Sequence, residues 1–172
     1  RASDTDGKAG WVKTLENGAS RLYVFRQFIN SEEFQQLCNT YEIQKGDVSL
    51  TEERDQNYNV TCFVARNYTQ FLSRNYDTDG LNHWCEAINH HTQSMQEIAY
   101  GFVFSAECTN KNLSNTEYVK MLYRGLMDRE GENTGVTYWE ERLNTGEASR
   151  EQIFWGFANS QEFTNLVRSY GL

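Results

Sequence analysis

The chain has 172 residues, with 24 Asp and Glu against 16 Lys and Arg for a net charge of −8, 38% hydrophobic and 14% aromatic residues, and no Pro. That apolar content is ample for a buried core at this length, whereas the acidic balance argues against a nucleic-acid or anionic-membrane surface, which needs a basic patch to displace counterions. No apolar run approaches the roughly 18 residues needed to cross a bilayer, and the start carries no signal-peptide pattern.

Read in chain order, one unit is written three times. Asp4-Thr5-Asp6-Gly7, Trp11, Phe28, Ser31 and Glu33-Phe34 recur as Asp77-Thr78-Asp79-Gly80, Trp84, Phe102, Ser105 and Glu107-Cys108. They recur again as Gly135, Trp139, Phe157, Ser160 and Glu162-Phe163. Each Gly stands four residues before its Trp, and each Trp stands 17 or 18 residues before its Phe. Repetition of this kind marks a stacked helical array, an architecture used more often to bind or to space than to catalyse.

The first copy, 1–38, opens on a helix carrying Trp11 and Leu15 on one face. A turn at Asn17-Gly18 closes it, Ser20 opens the next helix, and Val24 with Phe28 gives that helix an apolar i, i+4 stripe. Ser20 has no capping-box partner, because Tyr23 sits three residues on. Arg1 lies six residues before Gly7, as Arg74 and Arg129 lie six before Gly80 and Gly135. The expectation is that a helix precedes it in a larger parent protein, and that this truncated copy is buttressed by the second copy or self-associates. Residues 39–58 then form a polar, acidic insertion with Gly46-Asp47 and Glu52-Glu53-Arg54-Asp55, expected to be a linker or surface excursion.

The second copy, 59–114, begins with a helix patterned by Val64, Asn67, Tyr68 and Phe71 and ending at Arg74; the third, 115–172, matches it with Val119, Leu122, Tyr123, Leu126 and Arg129. Next come the Trp helices, with Ile88 and Leu143 four residues beyond their Trp. Ser94-Met95-Gln96-Glu97 and Ser149-Arg150-Glu151-Gln152 have the form of capping boxes. Ile98 with Phe102, and Ile153 with Phe157, continue the third-helix stripe. The fold expected is all-α, a tandem repeat of small helical bundles.

The order Tyr118-Val119-Lys120-Met121-Leu122-Tyr123, Arg129, Gly135, Tyr138-Trp139, Ser149-Arg150 and Gly156-Phe157-Ala158-Asn159-Ser160-Gln161-Glu162-Phe163 resembles the bacterial domain of unknown function numbered 4214. The likeness covers the third copy, most of the second and part of the first. It implies an extracellular or surface-attached helical module of a secreted bacterial protein, with no defined activity. The second copy departs from the pattern at Cys108, where the others have Phe, and lacks Gly in its middle turn.

Four cysteines, without a Cys-x-x-Cys pair, give little support to a zinc ribbon. Cys85 and Cys108 are paired departures within one copy, which points to a Cys85–Cys108 bridge, with Cys38–Cys62 pinning the insertion. Each would contribute about 3 kcal/mol in an oxidising compartment. The alternative is four buried free thiols. Asn75, Asp77, Asp79, Gly80 and Glu86 fall at calcium-loop positions 1, 3, 5, 6 and 12. However, Asn82 occupies the apolar position, the first copy offers Ala2 and Lys13 at the ends, and the third has Thr134 for Asp79. These acids read better as caps at the N-terminus of the Trp helix.

Trp11, Trp84 and Trp139 recur with their apolar partners and are expected in the core. A ligand-stacking role is sought among aromatics that vary between copies: Trp155, Tyr100 and Tyr76. No catalytic triad, metal cluster or phosphate loop stands out. The expected function is non-catalytic: attachment or recognition at a cell surface, with a glycan or partner protein as ligand, no nucleic acid, no membrane insertion and no required cofactor. A calcium-stabilised structural or spacer domain is the alternative.

Overall fold

The structure is a computed structural model that describes residues 4–172. Eleven α-helices run through the described residues: α1 (Thr5–Glu16), α2 (Arg21–Ile29), α3 (Glu32–Thr40), α4 (Tyr58–Asn67), α5 (Thr78–Asn89), α6 (Met95–Val103), α7 (Ala106–Thr109), α8 (Asn115–Met127), α9 (Asn133–Thr145), α10 (Arg150–Ala158) and α11 (Gln161–Ser169). A π-helical turn, Tyr68–Leu72, extends α4, and a 3-10 turn, Glu53–Asp55, precedes it. The described residues contain no strand. Arg1 and Ala2 lie outside the described residues.

Helix starts follow local chemistry. Asp4, Ser20, Ser31, Asp77, Ser94, Ser105, Ser114, Ser149 and Ser160 each accept a backbone N–H from the first turn of their helix. The two expected capping boxes form at Ser94–Glu97 and Ser149–Gln152, and a third forms at Ser114–Glu117.

The second and third copies share one core, in which Phe63, Phe71, Phe102, Phe154, Phe157 and Phe163 are each no more than 1% exposed. The recurring Trp lies tilted on the recurring Phe in every copy: Trp11–Phe28 at 5.0 Å, Trp84–Phe102 at 5.1 Å and Trp139–Phe157 at 5.7 Å between ring centroids. In the complete copies the leading helix adds a tyrosine edge-on to that Phe, with Tyr68–Phe102 at 4.8 Å and Tyr123–Phe157 at 4.9 Å. Arg74 and Arg129 lie over those tyrosine rings and form two-pronged ion pairs with Glu107 and Glu162. The guanidinium holds each of these carboxyls below the usual glutamate range.

The insertion is more than a surface excursion. Its end, 52–57, straps the first copy to the second. Asp55 is buried and accepts from the Ser20 backbone N–H at 2.9 Å and the Ser20 hydroxyl at 2.5 Å. It thereby supplies from a distance the carboxylate that Glu97 and Glu117 supply locally to their own caps. Arg54 N–H donates to Asn82, and Asn89 donates to the Glu53 carbonyl. Tyr23 stacks on Tyr58 at 5.6 Å, while Gly18, at φ +112°, lets the α1–α2 turn press close to Thr61 and Leu81.

All four thiols are free, in place of the two expected bridges. Cys85 faces α4, with its sulfur 3.8 Å from Thr61 Oγ1, whereas Cys108 faces α8, 3.8 Å from Met121 Sδ. Each departure fills a separate core position against its own leading helix. Cys38 is buried and Cys62 half-buried. A thiol-reactive dye should therefore count four thiols in denaturant without reductant, with Cys62 labelling first in the native protein. A count of zero would restore the bridges.

Candidate functional site

The most substantial polar opening is a cleft of 510 Å³ where α1, α4 and the end of α11 meet. Lys13, Glu16 and Asn17 come from the first copy, Asn59, Cys62, Arg66 and Thr69 from α4 and its extension, Asn75 and Tyr76 from the loop before α5, and Ser169 and Tyr170 from the C-terminal end of α11. Four separate stretches of chain converge there, held by bonds that cross the cleft. Tyr76 Oη donates to the Leu15 carbonyl at 2.9 Å, and Asn17 Nδ2 donates to Tyr58 Oη at 3.3 Å. Arg66 is committed to the wall, since its guanidinium donates to the Gly125 and Arg124 carbonyls and pairs with Asp128 at 2.9 Å.

Burial raises Cys62, Tyr58 and Tyr170 above their ordinary pKa values. A thiol shifted in that direction is a poor nucleophile at neutral pH. Burial also pushes Cys85 up to about 12. The cleft presents side-chain amides and a hydroxyl beside tyrosine rings, a surface suited to hydrogen bonding and stacking with a neutral polar ligand.

Of the three aromatic candidates, only Tyr76 lines this cleft. Tyr100 and Trp155 come together elsewhere, stacked at 5.5 Å with an interplanar angle of 18° at the junction of α6 and α10. Tyr100 also donates to Glu151 at 3.0 Å, and both rings pack half-buried against the core. They join copies, with one face of each ring occupied by the other.

The calcium candidates divide between two places. Asp77 caps α5 by accepting the Gly80 N–H at 2.8 Å and a 3.3 Å bond from Arg74, which also donates to the Asn75 carbonyl. The Gly80 N–H holds Asp77 below the usual carboxylate range. Asp79 lies in the first turn of α5, while Glu86 faces a shallow surface depression with His83 and His90. Among the described residues, no group of three or more His, Cys, Asp or Glu is arranged to hold a metal ion.

Asn17, Asn59 and Asn75 carry no motif, so sequence reasoning passed over them. The one signal was Tyr76, which varies between copies. No helix among the described residues is long and apolar enough to cross a membrane.

The sequence profile described as Domain of unknown function (DUF4214) matches residues 49–112 and again residues 99–167. The two segments overlap and together run over the second and third copies, well over half of the chain. No curated protein and no solved structure matches the chain.

Proposed function

The chain belongs to the DUF4214 family, and from that premise we propose that it is a non-catalytic, extracellular helical module that recognises a cell-surface glycan through the cleft between α1, α4 and α11. The observation that carries this reading is the convergence of Asn17, Asn59, Asn75 and Thr69 on an opening flanked by the rings of Tyr76 and Tyr170. Amide and hydroxyl groups match the donors and acceptors of sugar hydroxyls, and tyrosine faces suit the apolar faces of sugar rings. The net charge of −8 favours a neutral saccharide over an acidic one.

Thermal unfolding against a panel of neutral saccharides and cell-wall fragments tests the proposal, since a ligand that binds only the native state raises the midpoint. One saccharide class should stabilise by about 2.7 kcal/mol at a hundredfold excess over Kd. Asn59→Ala and Asn75→Ala, both at exposed positions, should each weaken binding about tenfold while leaving the midpoint of the free protein in place. No shift across the panel would sink the glycan reading and redirect the search to partner proteins. A shift that both variants retain would move the site away from this cleft.

A further inference from the structure

A different surface carries a second inference, independent of the cleft. On the first copy, Val12, Leu22, Phe25 and Phe28 are 44%, 42%, 53% and 50% exposed. The positions matching Phe28 in the other copies, Phe102 and Phe157, are each 1% exposed. Those two are closed by the leading helix of their own copy, at two points seven residues apart. At the first point, Thr61 of α4 meets Cys85 at 3.8 Å, and Thr116 of α8 donates to Glu140 at 2.6 Å. Cys85 and Glu140 follow their Trp directly, as Val12 follows Trp11. At the second point, Tyr68 and Tyr123 stand edge-on to Phe102 and Phe157.

Glycine provides a third mark. A methyl group at Gly80 would overlap the Tyr68 hydroxyl, and one at Gly135 would come within 2.6 Å of the Tyr123 hydroxyl, so both positions are kept bare by a tyrosine. Gly7 occupies the same register, yet a methyl there would meet only the Asp4 carboxyl. The α1–α2 pair thus has the bare position, the Trp–Phe platform and the apolar rim that the other two copies use to seat a tyrosine-bearing helix.

We propose that the α1–α2 face is a docking site for a partner helix of the α4 and α8 type. This amphipathic helix would place a tyrosine against Phe28 with its hydroxyl over Gly7, and a small or apolar side chain seven residues earlier against Val12. Two turns of helix are enough to span both points. Burying Phe28 and its neighbours supplies the drive, and the tyrosine fixes the register.

Short isolated helices are marginal in water, so the helix is best supplied at high effective concentration. Residues 57–73 fused ahead of Arg1 in the full chain reproduce the natural join of Ser73 to Arg74. Hydrogen exchange is the readout. Amides of α1 and α2 should slow at least tenfold in the fusion, with Trp11 emission shifting to shorter wavelength. The same fusion with its tyrosine changed to alanine should lose most of that protection. Unchanged exchange in α5–α11 verifies that the host fold is intact.

Equal exchange in fused and unfused chains would overturn the proposal, as would equal protection by the alanine version, which would mean unspecific apolar cover. Light scattering of the unfused chain is the third arm. A monomer is expected. A dimer that Phe28→Asp dissolves would overturn the proposal by assigning the face to a second copy of this chain.

Discussion

Asp55→Ala is expected to lower the unfolding free energy by about 3 kcal/mol, because it leaves the buried Ser20 N–H and hydroxyl without their acceptor. The loss falls on the one joint that the strap makes between copies. Ser20 is 6% exposed and Asp55 4% exposed, so water does not replace the bonds without opening the joint. Asp55→Asn keeps one acceptor, and the Ser20 hydroxyl can turn to accept from the new amide, so its cost should be about 1 kcal/mol. Urea unfolding measures both. The joint is local to the first copy, and hydrogen exchange should therefore show α1 and α2 loosening first in Asp55→Ala. Equal stability of Asp55→Ala and the parent would mean that the first copy docks through Tyr23, Tyr58 and Gly18 alone.

The second large effect is a contrast between copies at one register position. Phe102→Ala and Phe157→Ala should each cost about 4 kcal/mol, since each leaves a cavity between a tryptophan and a tyrosine in the shared core. Phe28→Ala should cost about 1 kcal/mol, because half of that ring already faces solvent and only Trp11 is in ring contact with it. Where an alanine variant does not fold, Phe102→Leu gives a milder version of the same comparison, at about 1 kcal/mol. Equal losses at all three positions would show that the first copy buries Phe28 as the others bury theirs in solution. That result would also count against an open docking face.

The regular part of this molecule was legible in the chain because it rests on short-range chemistry repeated three times. Capping serines, the Trp and Phe positions, the Arg six residues before each Gly and the Glu that pairs with it all follow from helical spacing and local hydrogen bonding. The repeat even exposed its own exceptions: Ser20 without a capping partner, and Cys85 and Cys108 at positions filled differently elsewhere. It did not reveal how the exceptions are resolved. The missing partner of Ser20 is Asp55, 35 residues away in what read as a linker. The two cysteines answer to different helices, so their joint departure was coincidence of position rather than contact.

The cleft was the least legible feature. Its amides come from four stretches of chain, and nothing in the neighbourhood of Asn17, Asn59 or Asn75 distinguishes them from the other asparagines. Trp155 and Tyr100 were marked by their variation between copies, and the structure brings them together as a joint between α6 and α10.

The sequence by itself determined the helices, their caps and the threefold repeat, because each depends on residues within a turn or two of one another and on a pattern the chain states more than once. Only the tertiary structure decided which Phe is sealed and which stands open, where the strap carboxylate goes, and which polar side chains share a cleft. Those outcomes depend on how whole copies pack, and packing joins residues whose separation along the chain carries no periodic signal.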